Sequence, residues 1–452
     1  MSLLNWIKNG LGGSKAKNEI AASDYSINPF KVVVVEFLDN VESNSGETIA
    51  NFLKEKECMN VMYYDIPFNK NYLNLESKTL FDLIDKGQDI LDRTESDVLI
   101  WGYRENGKIR LNFQSDRQYE SEEYSFISLM DSMYIPSSFV EQGKPLPEAI
   151  GNIIYGAVVA TKKAPNKEIK IQKKYLLRKI IDTLSKENSS KLLTVEYMPY
   201  IMNFLGIIYL SYAFENTDEK EFKIIKNLFE TALKHQDLIT NPIHLGCIYN
   251  HLGQLYDCAT QHMEKKPTAY YKGAITYYRN AQKYLSKYNY PYDYGYISHK
   301  LSNLFFNFWK KTEDLQALRD SVFQLREAEK IYTYALFPEF WSEIQGRLGH
   351  LLSLLGSLTR SLEISELAIA AYKNRQKVIT ERRDPLLWAK IQEKIGEIYY
   401  TLGKNNIDKD LLEEALEYFH DALYIFENMQ LENETYALTT SIRKTSQNLS
   451  AI

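Results

Sequence analysis

Residues 338–356 read PEFWSEIQGRLGHLLSLLG and residues 385–403 read PLLWAKIQEKIGEIYYTLG, 385 − 338 = 47 positions later. With Gly396 as anchor, a small residue recurs upstream at Gly349, Ser302, Gly253 and Gly206, in steps of 47, 47, 49 and 47. Five residues before each anchor stands an isoleucine: Ile201, Ile248, Ile297, Ile344 and Ile391. Directly before it comes Leu205, Leu252, Leu301, Leu348 or Ile395, and three after it Tyr209, Tyr256, Phe305, Leu352 or Tyr399. Steps of four place these large apolar residues on one helical stripe. The small anchor lets a neighbouring helix come close. Pro242, Pro291, Pro338 and Pro385 each precede an anchor by eleven residues, where proline suits a first helical turn.

The second half of each unit recurs as well. Ala274, Ser321, Ala368 and Ala415 lie 47 apart, inside AITYYRNAQKYL, SVFQLREAEKIY, AIAAYKNRQKVI and ALEYFHDALYIF. These segments again carry apolar residues at helical spacing. Each unit therefore reads as a helix–turn–helix hairpin. Such hairpins stack into a solenoid because none buries its apolar face alone.

The units resemble tetratricopeptide repeats over about residues 195–452, through the aromatic-x-x-(Leu/Ile)-Gly pattern of WAKIQEKIGEIYYTLG and the alanines Ala415 and Ala422 of EEALEYFHDA. They depart from that family in length, 47 residues against about 34. The resemblance implies an α-solenoid of about five hairpins over residues 166–452. The polar NETYALTTSIRKTSQNL is expected to be the helix that caps it.

Ahead of the repeats the pattern changes. KVVVVEF (31–37) reads as a buried strand, SGETIANFLKEKE as a helix, VMYYDI as a second strand and LESKTLFDLIDKGQDILDRTE as a second helix. DVLIWGYRENGKIRLNF reads as a hairpin turning at ENGK, and PLPEAIGNIIYGAVVAT as a last helix. This order predicts an α/β sandwich over residues 31–165, making the whole chain α+β and multidomain. KVVVVEFLDN and SDVLIWGYRENGKIRLNF resemble the N-terminal domain of the TolB and FlgO type of bacterial proteins, over roughly residues 31–113. That resemblance implies a fold and a docking role, and it transfers no site residues.

Composition excludes several function classes. A net charge of −5 argues against nucleic-acid binding, which needs a strongly basic face. Cys58, Cys247 and Cys258 fit no zinc or redox spacing, and the odd count suits a reduced compartment. No uninterrupted apolar run is long enough to span a membrane, and MSLLNWIKNGLGG does not read as a signal peptide, so the expected location is cytoplasmic. Leu3, Leu4, Ile7 and Leu11 share one side of a short amphipathic segment in the tail 1–30, which reads as a partner-docking or disordered tail rather than a membrane contact.

Recognisable catalytic chemistry is missing. The loop LDNVESNSGE carries neither a dinucleotide fingerprint nor a phosphate loop, and Glu36 and Asp39 near it read as solvated or turn-capping acids. His244 and His251 share a helix side but lack a third metal ligand. No nucleophile-elbow or Cys-His signature occurs. The chain reads as a non-enzyme without cofactor or metal.

Two repeat-linked features remain. Two residues before the anchors stand Phe204, His251, Lys300, Arg347 and Lys394, a basic ladder along four units. At −3 and +1 stand Asn203, Asn250, Gln254, His299, Asn303 and His350, positions that in peptide-binding tetratricopeptide repeats face the groove. Asn and Gln there can both donate to and accept from a peptide backbone, or simply form a solvated helix face. Ten tyrosines between Tyr270 and Tyr296 read mainly as packing, with those near Pro291 a candidate anchor surface. The expected function is a protein–protein interaction scaffold or adaptor. Its groove would bind a protein or peptide through Asn203, Asn250, Gln254, His299, Lys300, Asn303, Arg347 and His350. The alternative is a regulator whose α/β domain senses a nucleotide or another ligand and signals through the repeats.

Overall fold

Five strands and fifteen α-helices occupy the described residues of the computed structural model. Those residues are 29–37, 44–65, 77–117, 128, 130–140, 145–186, 194–214, 217–263 and 267–452. The tail segment expected to be amphipathic and Asp39 lie outside them. The chain forms two compact units, Met1–Ile297 and Ser298–Ile452.

In the first unit the strands are β1 (Phe30–Val35), β2 (Met59–Tyr64), β3 (Val98–Glu105), β4 (Lys108–Ser115) and β5 (Ser132–Pro136). They form one mixed sheet in the order β2-β1-β3-β4-β5. β1 runs parallel to β2 and β3, and β3, β4 and β5 form an antiparallel meander. The β3–β4 turn falls at Asn106–Gly107, as ENGK predicts, with both residues at positive φ. β5 is an addition to the strands read from sequence.

Helices α1 (Ser45–Lys54) and α3 (Glu148–Thr161) cover one sheet face, and α2 (Ser77–Thr94) covers the other. Val32 and Val34 pack with Ile49, Leu53 and Ile154, whereas Val33 and Val35 pack with Leu83 and Leu91. Burial on both faces explains why β1 is apolar at almost every position. Every residue of α3 after Glu148 is buried, which makes it a central helix. The same core continues into α4 (Lys167–Lys186), α5 (Met198–Ala213), α6 (Glu219–Lys234) and α7 (Ile243–His262). Apolar burial is therefore unbroken across residue 165.

The remaining helices are α8 (Pro267–Tyr284), α9 (Pro291–Thr312), α10 (Leu315–Glu329), α11 (Pro338–Thr359), α12 (Leu362–Arg375), α13 (Pro385–Asn406), α14 (Lys409–Asn428) and α15 (Glu432–Ala451). Successive helices pack as adjacent pairs, α5 with α6, α7 with α8, α11 with α12 and α13 with α14, and α15 lies on α14. Among the described residues no helix is long and apolar enough to cross a membrane.

The anchors sit where the two helices of a pair touch. A Cβ on Gly206 would lie 2.4 Å from the Phe229 ring, and one on Gly253 2.6 Å from Tyr278. At Gly349 it would meet Tyr372 at 2.9 Å, and at Gly396 it would meet Phe419 at 2.6 Å. The ring follows its glycine by 23 residues in three pairs and by 25 in the Gly253 pair. Ser302 is the exception, and 23 residues later stands Leu325 in place of a ring. There the helices are joined by Ser321, whose hydroxyl donates to the Ser302 carbonyl at 2.8 Å.

A second device repeats in the C-terminal unit. Gln345 donates to Glu329 at 2.5 Å and accepts from Asn374 at 3.4 Å. One unit on, Gln392 accepts from Gln376 at 2.8 Å and donates to Asp421 at 2.8 Å. Each buried glutamine thus ties the preceding hairpin to its own second helix, and both its amide groups are used. Helix starts are capped by Asp314, Ser361, Asp384 and Asp408, each accepting a first-turn backbone N–H.

Gly253→Ala tests the anchor contact. Alanine gains about 1 kcal/mol of helix propensity, but its methyl group must displace the buried Tyr278 ring, at an overpacking cost of about 1–3 kcal/mol. The expected net effect is a lower urea midpoint. The milder Ser302→Ala should cost about 1 kcal/mol or less through its lost contact with Ser321.

Candidate functional site

The eight sequence-predicted positions fall into two environments. Asn203, Asn250 and Gln254 in the first unit, and His299 and Lys300 in the second, are buried, each at most 6% exposed. Burial at these five positions departs from the solvated helix face that is one reading of the −3 and +1 residues. Asn303, Arg347 and His350 retain solvent exposure.

In the first unit the sheet end closes on these helices. Asp131, just before β5, is fully buried and only accepts, so the Nδ2 of Asn203 faces it, at 3.1 Å. The Oδ1 of Asn203 then accepts from Nδ1 of His251 at 2.9 Å. Nε2 of His251 lies 3.2 Å from the other Asp131 oxygen, which closes a triangle. His251 also stacks on Phe229, the ring seated on Gly206, with centroids 5.6 Å apart. These partners make Asn203 a structural bridge between sheet and helices. Asn203→Ala should lower the denaturation midpoint, since each buried group left without its partner costs about 1–3 kcal/mol. An unchanged midpoint would mean that the triangle contributes nothing to the fold.

His244, on the same side of α7, follows a different course. Its ring packs edge-on against Tyr134 at 5.6 Å and Tyr200 at 5.3 Å. Burial first, and then the positive charge of Arg110, push its pKa down to about 3, so it stays neutral. Burial also raises the Cys247 thiol well above its ordinary range, next to Asp131 and Asp293, which makes it a poor nucleophile. Among the described residues no three His, Cys, Asp or Glu side chains are grouped to hold a metal. Glu36 is held by the N–H groups of Phe37 (2.8 Å) and Gly46 (3.1 Å) and by the Tyr63 hydroxyl, so it ties the end of β1 to the start of α1.

In the second unit the exposed positions come together. Arg347 on α11 donates to Asn303 on α9. His350 sits edge-on to Phe306, with centroids 5.6 Å apart, and Phe306 stacks on Trp309 at 5.6 Å. The Lys310 ammonium lies 4.8 Å from the Phe306 centroid, within cation–π range. Lys394 on α13 is held by Glu397 at 2.7 Å. Three successive first helices thus present cations around a pair of half-buried aromatics. Phe306, Trp309 and Lys310 were not among the sequence-derived candidates. Their run FFNFWKK, aromatics beside lysines at a helix end, is the signal that points to them.

His350 reports on this face. Desolvation lowers its pKa first, and Lys394, Arg347 and Lys310 lower it further. The unfolded chain therefore binds the proton more readily. The stability this histidine contributes is present above the ordinary histidine pKa of about 6.5 and declines as the pH falls through it. NMR titration should find His350 protonating below that value, and Lys394→Gln should move its pKa upward. A His350 titration unaltered by this substitution would show that the cations do not act on it.

The chain matches no protein-family model, and no curated protein matches its sequence.

Proposed function

We propose that the protein is a non-catalytic interaction scaffold, cytoplasmic, whose paired helices form a long-repeat, tetratricopeptide-like α-solenoid. In this reading the face formed by Asn303, Phe306, Lys310, Arg347, His350 and Lys394 receives an acidic segment of a protein partner. The observation that carries it is the gathering of Lys310, Arg347, His350 and Lys394, from α9, α11 and α13, around Phe306 and Trp309. Aromatic anchors rimmed by charge are what peptide-binding surfaces use, the rings supplying contact area and the cations steering encounter. The Asn303 amide adds a group that can pair with a peptide backbone. The buried positions Asn203, Asn250, Gln254, His299 and Lys300 are not assigned to this surface.

A glutamate-rich peptide with an aromatic residue, titrated by fluorescence anisotropy, tests the reading. The Lys310→Ala/Lys394→Ala double variant should bind on the order of tenfold more weakly, and raising the salt should weaken the wild type toward the variant. Equal affinity for the glutamate peptide and its glutamine analogue would reject an acidic partner at this face.

A second reading, a ligand-responsive regulator built on the sheet, is favoured by one observation. The buried guanidinium of Arg110 lies in that part of the molecule and has no carboxylate among its hydrogen-bonding partners there.

A further inference from the structure

β4 alternates in sequence, with Arg110, Asn112 and Gln114 between Ile109, Leu111 and Phe113. Alternation of this kind ordinarily marks a strand with one wet face. Here the polar side is buried too: Arg110 is 4%, Asn112 0% and Gln114 1% exposed. Gln114 donates to the Ile84 carbonyl of α2 at 3.1 Å, and Asn112 donates to Ser132 at 2.9 Å.

Arg110 is the costly member of this row. Its Nε donates to the Ser132 hydroxyl at 2.7 Å, and its Nη1 donates to the Tyr103 hydroxyl at 2.7 Å. Both acceptors are neutral. Nη2 is buried and finds no acceptor among the described residues. A guanidinium does not shed its proton to relieve such burial. A buried charge with no carboxylate hydrogen-bonded to it among the described residues is an expensive arrangement for a protein interior.

A second unpartnered group stands beside it. Tyr134 pairs with Arg110 directly across β4 and β5. The His244 ring lies edge-on to that same Tyr134, and its Nε2 is likewise buried with no partner among the described residues. Arg110 acts electrostatically on His244, on Cys247 and on Tyr290, so these groups share one neighbourhood. On α7, His244, Cys247, Asn250 and Gln254 fall within about 120° of the helix circumference. Oδ1 of Asn250 and both amide atoms of Gln254 are also buried without partners among the described residues. The carboxyl groups of Asp131 and Asp293 act on the same Cys247, so the neighbourhood already holds negative charge, and a dianion meets twice the repulsion that a monoanion does.

We propose that Arg110 and His244 form a binding site for the carboxylate of a small monoanionic organic acid, seated between β4–β5 and α7. Nη2 of Arg110 supplies the charge-assisted hydrogen bond and Nε2–H of His244 the second donor. Asn250 and Gln254 offer both donors and acceptors to the remainder of the molecule. This site gives the regulator reading a ligand class and is independent of the peptide face on α9, α11 and α13.

The test uses the full chain at about pH 8.5, where phosphate is a dianion, and thermal unfolding with four probes at millimolar concentration: acetate and lactate as monoanions, succinate and inorganic phosphate as dianions. Acetate or lactate should raise the wild-type midpoint by about 2–4 °C, with smaller shifts from the dianions. Arg110→Met should lose the shift while melting, without ligand, at the same or a higher temperature, because the buried charge is gone. His244→Phe keeps the ring contacts with Tyr134 and Tyr200, and should weaken apparent affinity for lactate about tenfold. It keeps the test decisive if Arg110→Met does not fold. A wild-type midpoint indifferent to all four anions would overturn the proposal, and so would phosphate acting as strongly as lactate. Glu120, Glu122 and Glu123 lie outside the described residues. If changing all three to Gln lowered the midpoint as much as Arg110→Met, with no further loss on combining them, Arg110 would have its counter-ion within the chain, and the proposal would fall.

Discussion

The helical part of this protein depends on one contact, a ring from the second helix of a pair pressed onto a glycine of the first. Without a Cβ at Gly206, Gly253, Gly349 and Gly396, the faces of Phe229, Tyr278, Tyr372 and Phe419 reach the opposing helix. The distance a Cβ would have, 2.4–2.9 Å, leaves no room for a side chain. Close approach brings the flanking apolar stripe, including Ile344, Leu348 and Leu352, into the same interface, where all three are buried. Burial of such side chains contributes roughly 1.5–3 kcal/mol each. The buried glutamines Gln345 and Gln392 then tie one pair to the next, through Glu329 and Gln376.

Much of this was legible because repetition separates packing from coincidence. The −5, −1 and +3 residues, the small anchors and the helix-starting prolines are visible as a period. The spacing from glycine to ring was equally visible, 372 − 349 = 23 and 419 − 396 = 23, and it names the partner in three of the four glycine pairs, the Gly253 pair being two residues longer. In the front domain β1, the two following helices and the ENGK turn were also readable. β5 was not, because SMYIP is five residues long and takes its stability from pairing with β4 rather than from its own pattern.

The candidate site was less legible, for a physical reason. Repeat position predicts which way a side chain points along a helix, but not what lies opposite. Asn203 and His251 occupy the same kind of position as Lys300, Arg347 and His350, yet they face Asp131 at the sheet end and are sealed by it. Farther along the chain the same register leaves Arg347 and His350 partly open. The alternation of KIRLNFQS misleads in a related way, since a polar strand face is assumed to be wet and here it is buried. Sequence shows the polarity of such residues, and only tertiary packing shows that Arg110 is buried with no carboxylate hydrogen-bonded to it among the described residues.

The interlock itself is best tested by exchanging one pairing for another. Gly349→Ser with Tyr372→Leu rebuilds at the fourth hairpin the Ser302–Leu325 combination that the third already carries. A double-mutant cycle in urea measures their coupling. The interlock predicts that Gly349→Ser is strongly destabilising while Tyr372 is present and much less so once Tyr372→Leu has removed the ring, with a coupling on the order of 1 kcal/mol or more. Additive effects of the two substitutions would contradict it, because the glycine would then not be there to make room for the ring.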